Sequence, residues 1–289
     1  MIASGVGFTF YLVLAKEVSS DVHPIVLAFF RSFFGLIFVS PILFRRGIGY
    51  LKTPKFSLLM IRSLFGTLGF ALSMLAVSDF FTLPLSQFNA LSFSRPLFIT
   101  LLAALFLGEA VGPHRLGAVA IGFIGVLIMA VPGVALFWLP QEAGPPLDLG
   151  SVLAIASAFF FAGAITLVKS LSSTHSPMQL VVWANLLSSV LLLPAMLWYW
   201  SPPDLATWFM IITMSLTGLG AQYCYVTAMS MGDASFLSPM DYLRLPMAAI
   251  ADYVLFQLLP GRYVWIGAAI IVAATLYITL RETRLRKRG

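Results

Sequence analysis

Apolar residues run through this chain in blocks about as long as one bilayer crossing, with short polar breaks between them. Block length and flanking Pro, Gly and charged residues give about ten helices. They cover residues 1–15, 24–44, 56–78, 83–107, 114–131, 149–168, 177–200, 205–230, 234–258 and 263–280. A Pro- and Gly-rich loop, 132–147, separates the fifth block from the sixth. The expected fold class is therefore an all-α membrane protein with ten spans.

The polar residues of the breaks repeat. Lys16, Ser19, Ser20 and Pro24 recur at Lys169, Ser172, Ser173 and Pro177, and Pro41 recurs at Pro194 on the same spacing. A second register links Pro96 with Pro246 and Gly117 with Gly267. Only Lys, Ser, Pro and Gly matches are weighed, because apolar matches carry little information in so apolar a chain. The division is a first repeat at 1–131, a connecting loop at 132–147, and a second repeat with a basic tail at 148–289. An odd number of spans per repeat sets the two copies in opposite orientation. Inverted repeats are typical of alternating-access transporters.

Composition narrows the class. Of 289 residues, 60% are hydrophobic and 10% charged, against about 25% charged in soluble domains. No stretch is long and polar enough for a soluble domain. The net charge of +6 does not argue for nucleic acid, but its distribution sets orientation. With the N-terminus inside, Arg45, Arg46, Lys52, Lys55, Arg115, Lys169 and the tail Arg281, Arg284, Arg286, Lys287, Arg288 fall on one side. Only Lys16 and Arg262 fall on the other. The positive-inside bias then places both termini in the cytoplasm and the loop 132–147 outside, in a cell (inner) membrane. The first block, 1–15, reads as a retained helix without a basic leader. It is barely long enough to span (about 22 Å), so the natural start is expected a turn or two upstream. Cys224 is the only cysteine, which excludes an intrachain disulfide and a cysteine metal cluster.

The most polar membrane blocks are the fourth and ninth, which are repeat partners. Pro96 and Pro246 lie well inside them, where proline removes a backbone donor and crowds the carbonyl four residues back. The carbonyls of Ser92 and Tyr242 are expected to be freed. The two prolines are either plain kinks or the lining of a wet cavity. Asp241 and Arg244 lie three apart on one helical face that Ala248 and Asp252 continue. Charged residues at such depth mark a pathway or proton relay, unless they form an ion pair that pins the helix. Arg95 stands beside Pro96, among Gln87, Asn89, Ser92 and Ser94. It can clamp an anionic substrate group or satisfy a freed carbonyl. Arg31 and Arg62 lie about two turns from block ends and are expected to snorkel. Gly66, Gly69 and Ser73 form a small-residue stripe. Gln222 and Tyr225 share a face that can pack or line a cavity. His23, His114 and His175 sit at block ends and are expected to be solvated, with no metal site. There is no nucleotide loop, no zinc-protease motif and no Ser/His/Asp set, so neither an enzyme nor a cofactor is expected.

Nearly the whole chain resembles the drug/metabolite transporter superfamily, in particular proteins built from two EamA repeats. The resemblance rests on Lys16 to Pro24 followed by Arg31, on the run Leu105 to Ile128 with Gly108, Glu109, Gly117 and Gly125, and on Ala234 to Pro246. Leu258 and Leu259 stand where the second copy would carry Gly-Glu. The resemblance implies a secondary transporter with a central cavity between the halves, lined mainly by the first, third, fourth, sixth, eighth and ninth spans. Without an ATP motif, the driving force is a proton gradient or exchange against a counter-substrate. Asp241 is the proton or cation candidate, Arg244 its modulator and Arg95 an anion clamp. The first expectation for substrate is an amino acid or another small zwitterionic or anionic metabolite. The alternative is a larger nucleoside- or flavin-like molecule or drug. From another class, the alternative is a non-transporting scaffold or lipid-binding protein. The expected partners are a small molecule and the bilayer, as a monomer or homodimer.

Overall fold

A computed structural model describes residues 2–78, 80–81, 83–107, 113–130, 149–171, 174–231 and 244–286. Its helices are α1 (Ile2–Val18), α2 (Pro24–Arg46), α3 (Phe56–Val77), α4 (Leu85–Ser92), α5 (Arg95–Leu107) and α6 (Pro113–Ala130). The second half continues with α7 (Leu149–Leu171), α8 (Pro177–Trp198), α9 (Leu205–Met231), α10 (Arg244–Phe256) and α11 (Arg262–Arg286). A 3-10 turn at Ile48–Leu51 follows α2. Five stretches cross a bilayer by length and composition alone: Pro24–Pro41, Phe56–Val77, Leu149–Leu167, Met178–Trp198 and Leu205–Cys224. Among the described residues every element is helical, as hydrocarbon demands of a chain that must pair its own backbone groups.

The helix starts show how the repeat works locally. Pro24 and Pro177 open α2 and α8 at the first turn, where a missing N–H costs nothing. His23 caps α2 by accepting from the Ile25 N–H. Ser176 caps α8 in a reciprocal box with Gln179. One start signal thus serves both halves with different side chains.

The fourth block departs from expectation. It is two helices, broken at Phe93 and Ser94. Pro96 is the second residue of α5, so it sits in a first turn rather than inside a helix. Pro96 therefore does not interrupt an intrahelical ladder; it helps to start one. Pro246 lies in α10 close to residues outside the described ones, so its place relative to the start of a helix lies outside them too. Ser94 ends the first segment by donating to the Leu91 carbonyl, 2.6 Å away. Residues 232–243, with Asp241 and Tyr242, lie outside the described residues, as does the loop 132–147.

Packing is mirrored between the halves. Helix α1 packs on α9 as α7 packs on α3, while α2 faces α8 and α6 faces α11. Small residues make these approaches possible, because lipid supplies no hydrophobic drive between helices. A Cβ on Gly69 would lie 3.1 Å from the Phe161 backbone nitrogen, and one on Gly125 would lie 2.8 Å from the Gly267 carbonyl. The Gly66, Gly69, Ser73 stripe thus faces α7, with Ser157 donating to the Gly69 carbonyl at 2.7 Å. Large apolar side chains such as Leu197 and Phe209 remain on the outside, where lipid would meet them.

Two of the histidines are not simply solvated. His175 is buried and bonds Thr53 of the other half at 2.7 Å. His23 stacks on Tyr199 with ring centroids 3.9 Å apart. His114 is exposed as expected.

Candidate functional site

Three groups of polar side chains meet inside the bundle. The first is a mirrored pair. From α10, Arg244 lays its guanidinium 4.3 Å from the Phe8 ring of α1. From α5, Arg95 lays its own 4.8 Å from the Phe161 ring of α7. Phe8 and Phe161 are separated by the same spacing as Lys16 and Lys169, and so are Ser4 and Ser157. Each arginine, close in sequence to Pro96 or Pro246, therefore rests on the equivalent ring of the opposite half. Ser4 lies 3.5 Å from Arg244 Nη2. A guanidinium over an aromatic face gains about 0.5–2 kcal/mol, more as water is removed.

The second group occurs once. Arg31 of α2 points inward and does not snorkel, which corrects the expectation. Its Nη2 donates to Gln222 Oε1 of α9 at 3.2 Å, and its Cζ lies 4.1 Å from the Phe70 ring and 5.9 Å from that of Tyr11. Arg31 Nε is buried without a hydrogen-bond partner. The Tyr11 hydroxyl donates only to the Met74 thioether, at 3.3 Å. Arg31 and Gln222 are only partly buried, while Tyr11 and Phe70 are buried.

The third group closes the Lys16 end of the bundle. Helix α4 starts after Pro84, whose side chain cannot cap it. Asp252, fully buried on α10, supplies the cap from the other half. Its two oxygens accept from the Leu85 and Ser86 N–H groups at 2.9 and 2.7 Å. A carboxylate at a helix N-terminus satisfies orphan donors and meets the positive end of the helix dipole. Lys16, also buried, donates to the Leu83 carbonyl at 3.4 Å and lies 4.6 Å from the Phe256 ring. The segment Leu83–Ser86 is thus gripped from α1 and from α10.

An EamA-like transporter family model matches residues 1–131 and 148–280. The chain belongs to the EamA-like transporter family. This transporter is a multi-pass membrane protein that moves small molecules and is not an enzyme. It is 31% identical to a riboflavin transporter of Vibrio cholerae over 292 residues, covering 100% of this chain and 94% of that one. It is 32% identical to a riboflavin transporter of Brucella anthropi, covering 91% and 90%. An S-adenosylmethionine uptake transporter of Rickettsia felis is 29% identical over 96% and 90%. A crystal structure at 20% identity superposes with a TM-score of 0.62 over 98% of both chains, which shows the shared fold.

The structure sorts the residues that the sequence singles out. Gln222 meets Arg31, which sequence reasoning set aside. Arg95 and Arg244 take equivalent places rather than one shared clamp. Asp252, about two turns beyond Arg244, leaves the Arg244 face and serves α4, so the expected continuous polar face along α10 divides. Asn89 is buried and donates back to the Leu85 carbonyl at 2.8 Å. Ser92 is partly buried at the end of α4. Gln87 ties α4 to α7 by donating to Ser151 at 3.0 Å. Tyr225 lies in α9, with its side chain outside the described residues. Arg62 donates to the Leu180 carbonyl of α8 at 3.3 Å. Sequence reasoning missed Arg31, Tyr11, Phe70 and Lys16. The available signal was the setting of Arg31 among Phe29, Phe30, Phe33 and Phe34, which leaves a long cation no charged neighbour beside it on its own helix.

Proposed function

We propose that this transporter carries a flavin-like heterocycle, with riboflavin the first candidate, by alternating access across the cytoplasmic membrane. The carrying observation is the composition of the Arg31 group: a guanidinium, an amide, two rings and a thioether brought together from α1, α2, α3 and α9. A cluster of aromatic, amide and guanidinium groups suits a flat, uncharged heterocycle better than a small charged solute. An amino acid would need an anion for its ammonium group. Among the described residues the one buried carboxylate, Asp252, is already committed to the α4 cap. The relatives named as riboflavin transporters point the same way, so the flavin-like alternative displaces the amino acid as first choice.

In this reading Asp241 couples transport to protons or another cation. Both termini lie in the cytoplasm, and reporter fusions at Gly144 and Gly289 should then fall on opposite sides. The substrate test is uptake into proteoliposomes of labelled riboflavin, S-adenosylmethionine and a set of amino acids. Saturable riboflavin uptake is the expected result. Amino-acid uptake without riboflavin uptake would restore the first expectation. An imposed pH gradient, applied to wild type and to Asp241→Asn, tests the coupling: the variant should lose the gradient's effect.

A further inference from the structure

We infer that Arg31 and Gln222 together select a cyclic imide edge, a carbonyl–NH–carbonyl row on a planar ring. The inference rests on the flavin reading above and names what that site recognises.

The bond from Arg31 to Gln222 joins α2 of one half to α9 of the other. The pair presents two kinds of hydrogen-bonding group side by side. Arg31 offers donors only, and its Nε–H is buried with nothing to donate to. Gln222 offers an acceptor oxygen, now held by Arg31. The ring of Phe70 under the guanidinium fixes its plane. A ligand that satisfies this pair brings acceptors to Arg31 and a donor to Gln222 Oε1. It also lays a flat body near Phe70, Tyr11 and Met74. An imide edge has that order: its carbonyls accept from the guanidinium, and its N–H donates to the amide oxygen.

Other edges fit less well. A carboxylate or phosphate would satisfy Arg31 but confront Gln222 Oε1 with an anion, forcing the amide to turn over. A buried donor or acceptor left unmatched costs a substantial part of the binding energy. The single-copy nature of the pair also fits recognition: the spacing that relates the repeats puts Ala184 where a second Arg31 would stand.

The test is competition for riboflavin uptake in proteoliposomes by unlabelled riboflavin and by riboflavin methylated on the imide nitrogen. Wild type should prefer riboflavin over the methylated analogue by about tenfold or more, the effect of one lost hydrogen bond with an unmatched acceptor. Gln222→Met removes the acceptor at similar length and should bring that ratio close to one. Arg31→Lys keeps the charge but loses the fork, and should weaken both competitors. Size-exclusion profiles in detergent check that each variant folds. Equal inhibition of wild type by the two competitors would overturn the inference while leaving riboflavin transport standing. A Gln222→Met protein that folds and keeps the wild-type ratio would overturn it as well. Wild type that takes up no riboflavin ends the flavin reading, and this inference with it. Should Gln222→Met not fold, the wild-type ratio alone decides.

Discussion

The mirrored Arg–Phe contacts and the Arg31 group differ in one respect: the first is present twice and the second once. Arg244 on Phe8 and Arg95 on Phe161 are the same contact made by each half upon the other. A contact of that kind favours neither half. It can hold the halves together in either of two related arrangements, as an alternating carrier built from inverted repeats requires. Arg31 with Gln222, and Asp252 on α4, have no counterpart among the described residues. On the repeat spacings, Ala184 matches Arg31 and Leu102 matches Asp252. Under the proposed alternating access, the duplicated contacts would belong to the machinery of exchange. On the same proposal, the single ones would give the molecule two distinguishable faces and a substrate preference.

That comparison breaks most sharply at Asp252. Asp252→Leu copies the first repeat and leaves the Leu85 and Ser86 N–H groups uncapped. The expected loss is about 2–4 kcal/mol for a buried, charge-assisted pair of bonds. Thermal unfolding in detergent should fall accordingly, and cysteines placed near the Lys16 end should label faster. An unchanged labelling rate would show that the cap does not hold that end shut. A smaller effect is expected at the mirrored rings. Phe8→Leu and Phe161→Leu should each cost about 0.5–2 kcal/mol of cation–π energy and slow uptake by similar factors. A defect confined to one of the two would mean that the contacts are alike in geometry only.

The smallest effect is expected at His23, which joins the halves beside the Lys16 end. Burial lowers its pKa below the ordinary histidine value. Its Nδ1 must also stay unprotonated to cap α2. The folded form thus favours neutral His23 more than the unfolded chain does. This contribution is complete above about pH 6.5 and is lost as the pH falls below it. Unfolding temperature should drop slightly between pH 7.5 and 5. In His23→Asn, which caps without titrating, that drop should shrink.

The spans were legible because hydrocarbon thickness sets block length, and the repeat because Lys, Ser and Pro stand out in an apolar chain. The break in the fourth span was half legible. Pro96 marked the place, but a proline is compatible with a kinked helix and with a fresh start, and only the geometry at Phe93 and Ser94 decides. Periodicity put Asp252 on the Arg244 face. It could not show that about two turns along α10 change the neighbour from α1 to α4. Arg31 was misread because depth was judged from its distance to the helix end. Its partner, Gln222, lies in the other half of the sequence, where local pattern has no reach.

The Asp252 cap has a kinetic consequence. A conformation that parts α10 from α4 gives up both bonds and leaves a carboxylate to be rehydrated. Leu102 stands where a matching aspartate would, so under the proposed alternating access the two access states of the empty carrier would be unequal in free energy. A gap of about 1.4 kcal/mol already leaves only one molecule in ten or so in the less favoured state. Apparent affinity on that side is weakened by the same fraction, however good the site itself. The carrier would then bind the same solute with different strengths from its two sides, and one buried aspartate would set the difference.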